Sequence, residues 1–185
     1  MRFFSSKKDK EPEKTGFMGD TSPEQETVLA EFKAWIEAGQ VADLKALKFD
    51  DYDLLRFCRA RKFVLADIQV MFTNFIEWRK NENVDSIIAE YDYTEKKEVL
   101  EIYPHGYYGT DKLGRPVYIE RFGILDVTKL FEITSEERIV RHYIQEYEIL
   151  MQLRFPACSA KAGKRVEQGL TIIDLTGGGV TTLNS

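Results

Sequence analysis

The chain has 185 residues, 43% hydrophobic and 31% charged, the balance of an ordinary globular protein with room for one core or two small ones. Its net charge of −5 excludes the whole-surface basic field that drives nonspecific nucleic-acid binding, so no nucleic-acid partner is expected and only local basic patches remain to be weighed. No apolar run approaches about 18 residues and the amino terminus lacks a signal-peptide core, which makes an intracellular location the expectation. Cys58 and Cys158 lie far apart without metal-ligand spacing and read as buried free thiols, and His105 and His142 show no ligand pattern.

Residues 1–20 mix Lys7, Lys8, Lys10 and Lys14 with Ser, Glu, Pro and Gly and read as a disordered tail. Its small basic excess, with Phe3 and Phe4, serves either as a touch on an anionic membrane or as a solvated leader. Ser22-Pro23-Glu24-Gln25 then opens a helix with a capping box, Val28, Leu29, Phe32, Trp35 and Ile36 share one face, and Gly39 ends it. A connector with Leu44 and Leu47 leads to Asp50 or Asp51, either of which caps a short helix through Leu54, Leu55, Phe57 and Cys58. A third helix, about Leu65 to Lys80, repeats the pattern with Ile68, Phe72, Phe75 and Trp78. These helices predict a small bundle of their own over residues 21–90, followed by a mostly polar approach to the next element.

Arg56, Arg59, Arg61 and Lys62 form a cluster read in two ways. It is either a solvated helix face paired with Asp50, Asp51 and Asp53, or a phosphate-facing patch in which Arg offers a planar fork of donors and Lys a compact charge. Nothing local decides between them.

Tyr103 to Phe122 reads as a β-hairpin, with turn chemistry from Asp111, Gly114 and Pro116, and Val117, Ile119 and Arg121 alternating with Tyr118, Glu120 and Phe122. A proline at a strand's start predicts that this strand lies at a sheet edge there. Thr134-Ser135-Glu136-Glu137 predicts a helix capped by the threonine, running to about Phe155 with a stripe of Ile139, Tyr143, Tyr147 and Leu150, and stopped by Pro156. Leu170 to Leu175 reads as a strand buried on both faces inside a parallel sheet. The fold class is therefore α/β behind a helical leader. Gly177-Gly178-Gly179 lacks the GxxxxGK[ST] and GxGxxG patterns, and no nucleophile, base or paired-carboxylate constellation is present, so neither an enzyme nor a cofactor is expected.

Several stretches together resemble one family in order and spacing: Asp51 to Phe63, Trp78-Arg79-Lys80, Tyr103-Pro104, Gly114 to Tyr118, Thr134 to Arg138, Phe155 to Cys158 and Ile172 to Leu175. The chain resembles the CRAL-TRIO proteins, and within them the yeast and plant secretory phosphatidylinositol and phosphatidylcholine transfer proteins, from about Ser22 onward.

That resemblance implies an amino-terminal helical region over residues 21–90 and, over residues 91–185, the first half of a lipid-binding α/β domain whose pocket holds one phospholipid without covalent chemistry. Arg61 and Lys62 stand at the family's positions for the inositol phosphate. Tyr107, Tyr118 and Thr171 stand where the family contacts phosphocholine, with Tyr147 lining the same region. Gly169 replaces a serine of the family and so removes one hydroxyl contact, and Val64 replaces a capping aspartate. The implied function is binding and transfer or presentation of phosphatidylinositol, with phosphatidylcholine second, at a transient, peripheral membrane contact on Golgi or other internal membranes. The bound phospholipid is a ligand; oligomeric state is open. The alternatives are a lipid-gated regulatory or scaffold module, or a truncated fragment that does not transfer.

Overall fold

The computed structural model describes residues 14–39 and 49–178. The connector with Leu44 and Leu47, the anchors Phe3 and Phe4, and Gly179 lie outside the described residues. The architecture is mixed helix and sheet, divided into two compact units, Met1–Trp78 and Arg79–Ser185.

In the first unit α1 spans Pro23–Glu37. Ser22 accepts from the Gln25 N–H while Gln25 returns to the Ser22 N–H, the reciprocal box its sequence specifies, and Gly39 adopts a left-handed φ of +73° just past the end. Helix α2, Asp51–Ala60, is capped by Asp50 with Asp53 completing the box. Helix α3, Leu65–Asn81, runs through the boundary between the units. The core lies between these helices: Phe32, Leu55, Cys58, Ile68 and Phe72 are fully buried. Phe72 is its hub, with the rings of Phe32, Phe49 and Phe57 set edge-on at 5.0 to 5.2 Å between centroids, the geometry aromatic quadrupoles favour.

The polar approach expected after α3 is instead structured. A 3₁₀ turn at Val84–Ser86 leads into a short α4, Ile87–Glu90, and α5, Lys96–Ile102, and Val84, Ile87, Tyr93 and Val99 are buried. Strands β1, His105–Thr110, and β2, Pro116–Glu120, form the expected antiparallel hairpin, closed by Asp111, whose carboxylate accepts from the N–H groups of Leu113 and Arg115. Pro116 does not mark an edge: β2 is the central strand, and the proline sits at its first residue, where it removes no interior ladder bond.

A helix not anticipated from the sequence, α6, Val127–Ile133, precedes α7, Glu136–Ile149. Ser135, not Thr134, caps α7; Thr134 is buried and spends its hydroxyl on Glu95, which also takes the Arg138 guanidinium. Pro156 does not stop the helix. A π turn at Leu150–Arg154 absorbs the missing N–H, and α8, Phe155–Ala162, carries on to Gly163 at φ +66°. Strand β3, Leu170–Ile173, then pairs parallel to β2 after this helical crossover. Its expected burial is not met among the described residues: Ile172 and Ile173 are 46% and 56% exposed, because no described strand pairs beyond β3.

Candidate functional site

The sheet register gathers three of the predicted side chains. Tyr107 on β1 pairs with Tyr118 on β2, and Tyr118 pairs with Thr171 on β3, so the three form one row across the sheet. Residues opposite one another in register project to the same face, which makes the row a property of strand pairing rather than of any loop. The two tyrosine rings lie 5.0 Å apart, edge to face. A bulge follows Tyr107, where the register shifts before Thr110, a device that re-aims a side chain beside a site.

The row ends differently on its two sides. Tyr118 meets Tyr143 of α7, whose hydroxyl donates to Glu120 at 3.3 Å, and Tyr103 donates to the same carboxylate oxygen. Burial, then the Glu146 charge, pushes the Tyr118 phenol up to about 12, so it stays protonated and a donor at neutral pH. The hydroxyls of Tyr107, Thr171 and Tyr147 bond to no described residue, and Thr171 and Tyr147 are exposed. Tyr147 is 64% exposed, so it is not part of the buried stripe of α7, and it is close enough to Tyr107 and Tyr118 to perturb both phenols.

Sequence reasoning missed the cation behind the row. The π turn delivers Arg154 onto the ring of Tyr107, its guanidinium carbon 4.1 Å from the centroid. Arg154 also donates to Glu146 at 3.0 Å, and Glu146 takes Lys96 at 3.1 Å on its other oxygen. Burial alone would raise the Glu146 carboxyl, but Lys96 and Arg154 hold it below its ordinary value. One carboxylate thus answers two cations, and Arg154 keeps one face of its guanidinium on the Tyr107 ring. The only sequence signal was spacing: Tyr143, Glu146, Tyr147, Leu150 and Arg154 recur at three to four residues, but a regular helix would not have aimed the last of them.

Arg61 and Lys62 lie in the first unit and are exposed. They do not continue the outer face of α2. Lys62 and Phe63 both take left-handed backbone, φ +50° and +59°, in the tight turn to α3. Arg61 donates to the Ala60 carbonyl at 3.1 Å, and among the described residues no carboxylate pairs with either cation. Arg59, expected on the outer face, turns away to residues 16–17 instead. The bland reading of the cluster, cations quenched by Asp50, Asp51 and Asp53, does not describe Arg61 and Lys62: Asp50 and Asp53 cap α2 and Asp51 takes Lys33.

No family model matches the chain. It is 42% identical over 163 residues to the SEC14 cytosolic factor of Kluyveromyces lactis, covering 88% of this chain and 53% of that protein. It is 47% identical over 138 residues to the cytosolic factor of the same name from Schizosaccharomyces pombe, covering 75% and 48%. A phosphatidylinositol/phosphatidylcholine transfer protein of Arabidopsis thaliana is 45% identical over 138 residues, covering 74% and 25%. The chain is a homologue of phosphatidylinositol/phosphatidylcholine transfer proteins. These relatives belong to the CRAL-TRIO family, the one that the motif order of the chain resembles. The chain spans between a quarter and about half of the length of these curated relatives. Among the described residues no helix is long and apolar enough to cross a membrane.

Proposed function

We propose that the chain binds phospholipid and serves its transfer or presentation between membranes, phosphatidylinositol first and phosphatidylcholine second. The observation that carries this reading is the row Tyr107, Tyr118 and Thr171: three hydroxyl-bearing side chains that the resemblance assigned separately to a choline-lipid headgroup fall into one line of the sheet. Hydroxyl donors that stay protonated at neutral pH suit phosphodiester oxygens, and the Arg154 guanidinium on the Tyr107 ring suits their charge. Around the row, Tyr147, Leu153 and Ile173 expose apolar surface to which lipid tails are matched. Each methylene taken from water contributes about 0.8 kcal/mol, so tails dominate affinity while the hydroxyls select the head.

Arg61 and Lys62 take the inositol-lipid phosphate on their own unit, where no described carboxylate competes for them. Binding is non-covalent, without a cofactor and without enzymatic turnover; membrane contact is peripheral and transient, at Golgi or other internal membranes. The amino-terminal helical region and the α/β lipid-binding part are read as residues 21–90 and 91–185.

The test is lipid capture. The purified chain is incubated with vesicles of phosphatidylcholine with and without labelled phosphatidylinositol, re-isolated, and its lipids are identified by mass spectrometry. Captured phosphatidylinositol, reduced by Arg61→Ala with Lys62→Ala, and captured phosphatidylcholine, reduced by Tyr107→Phe with Thr171→Val, are the expected results. A chain that retains no lipid overturns the reading.

A further inference from the structure

Lys14 to Asp20, within the segment expected to be a tail, is built into a turn that touches the α2–α3 junction on both sides of the cation pair. Asp20 closes the turn: its carboxylate accepts from the Thr15 hydroxyl at 2.6 Å, the Thr15 N–H at 3.1 Å and Lys14 at 3.0 Å, and backbone bonds join Gly16 to Asp20 and Asp20 to Phe17. Before the pair, Arg59 lays its guanidinium 3.8 Å over the Phe17 ring and donates to the Gly16 carbonyl at 3.2 Å. After the pair, the Phe63 ring packs where Gly16 has no side chain: a Cβ there would stand 2.7 Å from two ring carbons. Between these contacts lie Arg61 and Lys62, on a turn in which Lys62 and Phe63 hold consecutive left-handed conformations that non-glycine residues rarely adopt. Strain of this kind persists only where the surroundings over-determine it, and a glycine at position 62 would have relieved it at the loss of a cation.

We propose that residues 14–20 are a clasp that positions Arg61 and Lys62 for an anionic lipid headgroup, with Gly16, Phe17 and Arg59 as positioning residues. The inference rests on the reading that Arg61 and Lys62 hold the phosphate. Arg59 does not face the ligand; it spends its charge on the clasp and so fixes the residue two positions on. Gly16 sets the seat of Phe63, and Phe63 sets the dihedrals of Lys62.

The experiment compares binding of the full chain to phosphatidylcholine vesicles with and without phosphatidylinositol. Gly16→Ala, which drives a methyl group into the Phe63 ring, and Arg59→Met, which keeps the stem but not the charge, are each expected to cut the preference for phosphatidylinositol vesicles about tenfold, the scale of one charge-assisted contact. Binding to pure phosphatidylcholine vesicles stays near wild type for both variants; the unfolding midpoint does so for Arg59→Met, whereas Gly16→Ala, at φ +76°, lowers it modestly without loss of cooperative folding. Phe63→Leu added to Gly16→Ala makes room for the methyl group and recovers part of the preference. If both clasp variants keep the preference while Arg61→Ala with Lys62→Ala loses it, the clasp has no such role. If the clasp variants lose both lipids together with cooperative unfolding, the clasp only supports the fold and the inference fails. If the double cation variant itself keeps the preference, the reading beneath the inference is wrong and both fall.

Discussion

The guanidinium of Arg154 is shared between two partners of different kinds: it stacks on the Tyr107 ring at 4.1 Å and donates to the Glu146 carboxylate at 3.0 Å. A cation on a ring face contributes about 0.5–2 kcal/mol depending on solvation. Burial raises the Tyr107 phenol and Arg154 draws it back down. Arg154→Met keeps the bulk and removes the charge, so the Tyr107 phenol is expected to titrate higher and choline-lipid capture to fall several-fold, with Arg154→Lys intermediate. Ultraviolet phenolate titration against a Tyr107→Phe control reads the first, and an unmoved phenol refutes the coupling.

His142 makes stability depend on pH with a defined sign. Burial, aided by the Lys96 charge and opposed by Glu146, lowers its imidazole from 6.5 to about 4, and its ring stacks on Tyr93 at 4.5 Å. Between these values the unfolded chain binds a proton that the folded chain refuses. Stability is therefore full above 6.5 and declines as pH falls towards about 4, by up to about 3 kcal/mol. His142→Phe keeps the stacking and removes the titration; urea unfolding across this window should show a flatter slope than wild type. The remaining slope above the carboxylate range belongs to His105, which burial lowers in the same direction.

Much of this fold was written locally. The boxes at Ser22 and Asp50, the Asp111 turn and the β2–β3 crossover all depend on residues within a few positions of one another, or on the length a parallel pairing demands. What escaped was set by distant partners. The periodicity of α3 placed Trp78 on its apolar face; the structure leaves Trp78 39% exposed and buries the neighbouring Arg79 at 7%, because Glu148 and Asp85 satisfy the guanidinium. Thr134 lost its capping role to Ser135 because Glu95, far off in sequence, claims its hydroxyl. The site divides in the same way. Tyr107, Tyr118 and Thr171 came from the resemblance, and only strand register explains why they form a row. Arg154 had only its helical spacing as a signal, and the π turn that aims it is invisible to a period of 3.6.

Arg79 offers a test of how much that buried network contributes. It grips Glu148 with two donors, at 2.8 and 3.0 Å, and Glu148 is only 12% exposed, whereas Asp85 is 54% exposed. Arg79→Met should destabilise by about 3–5 kcal/mol, chiefly by stranding the Glu148 charge, and Glu148→Gln added to it should recover much of the loss. A double-mutant cycle in urea unfolding gives the coupling. Losses that simply add would show that the pair is not the source of the cost.

Lys62 separates stability from binding at a single position. Its φ of +50° lies in the left-handed region, where glycine pays no steric penalty and a lysine pays about 1–3 kcal/mol. Set against the entropy glycine loses on folding, Lys62→Gly is expected to raise stability by about 1 kcal/mol while lowering the preference for phosphatidylinositol vesicles, because the relaxed turn no longer carries a cation. Thermal unfolding and vesicle binding of the same preparation decide it. A less stable variant means the turn holds no strain, and unchanged lipid preference means that Lys62 does not touch the phosphate; a more stable, less selective protein is the result that a turn kept strained for its charge requires.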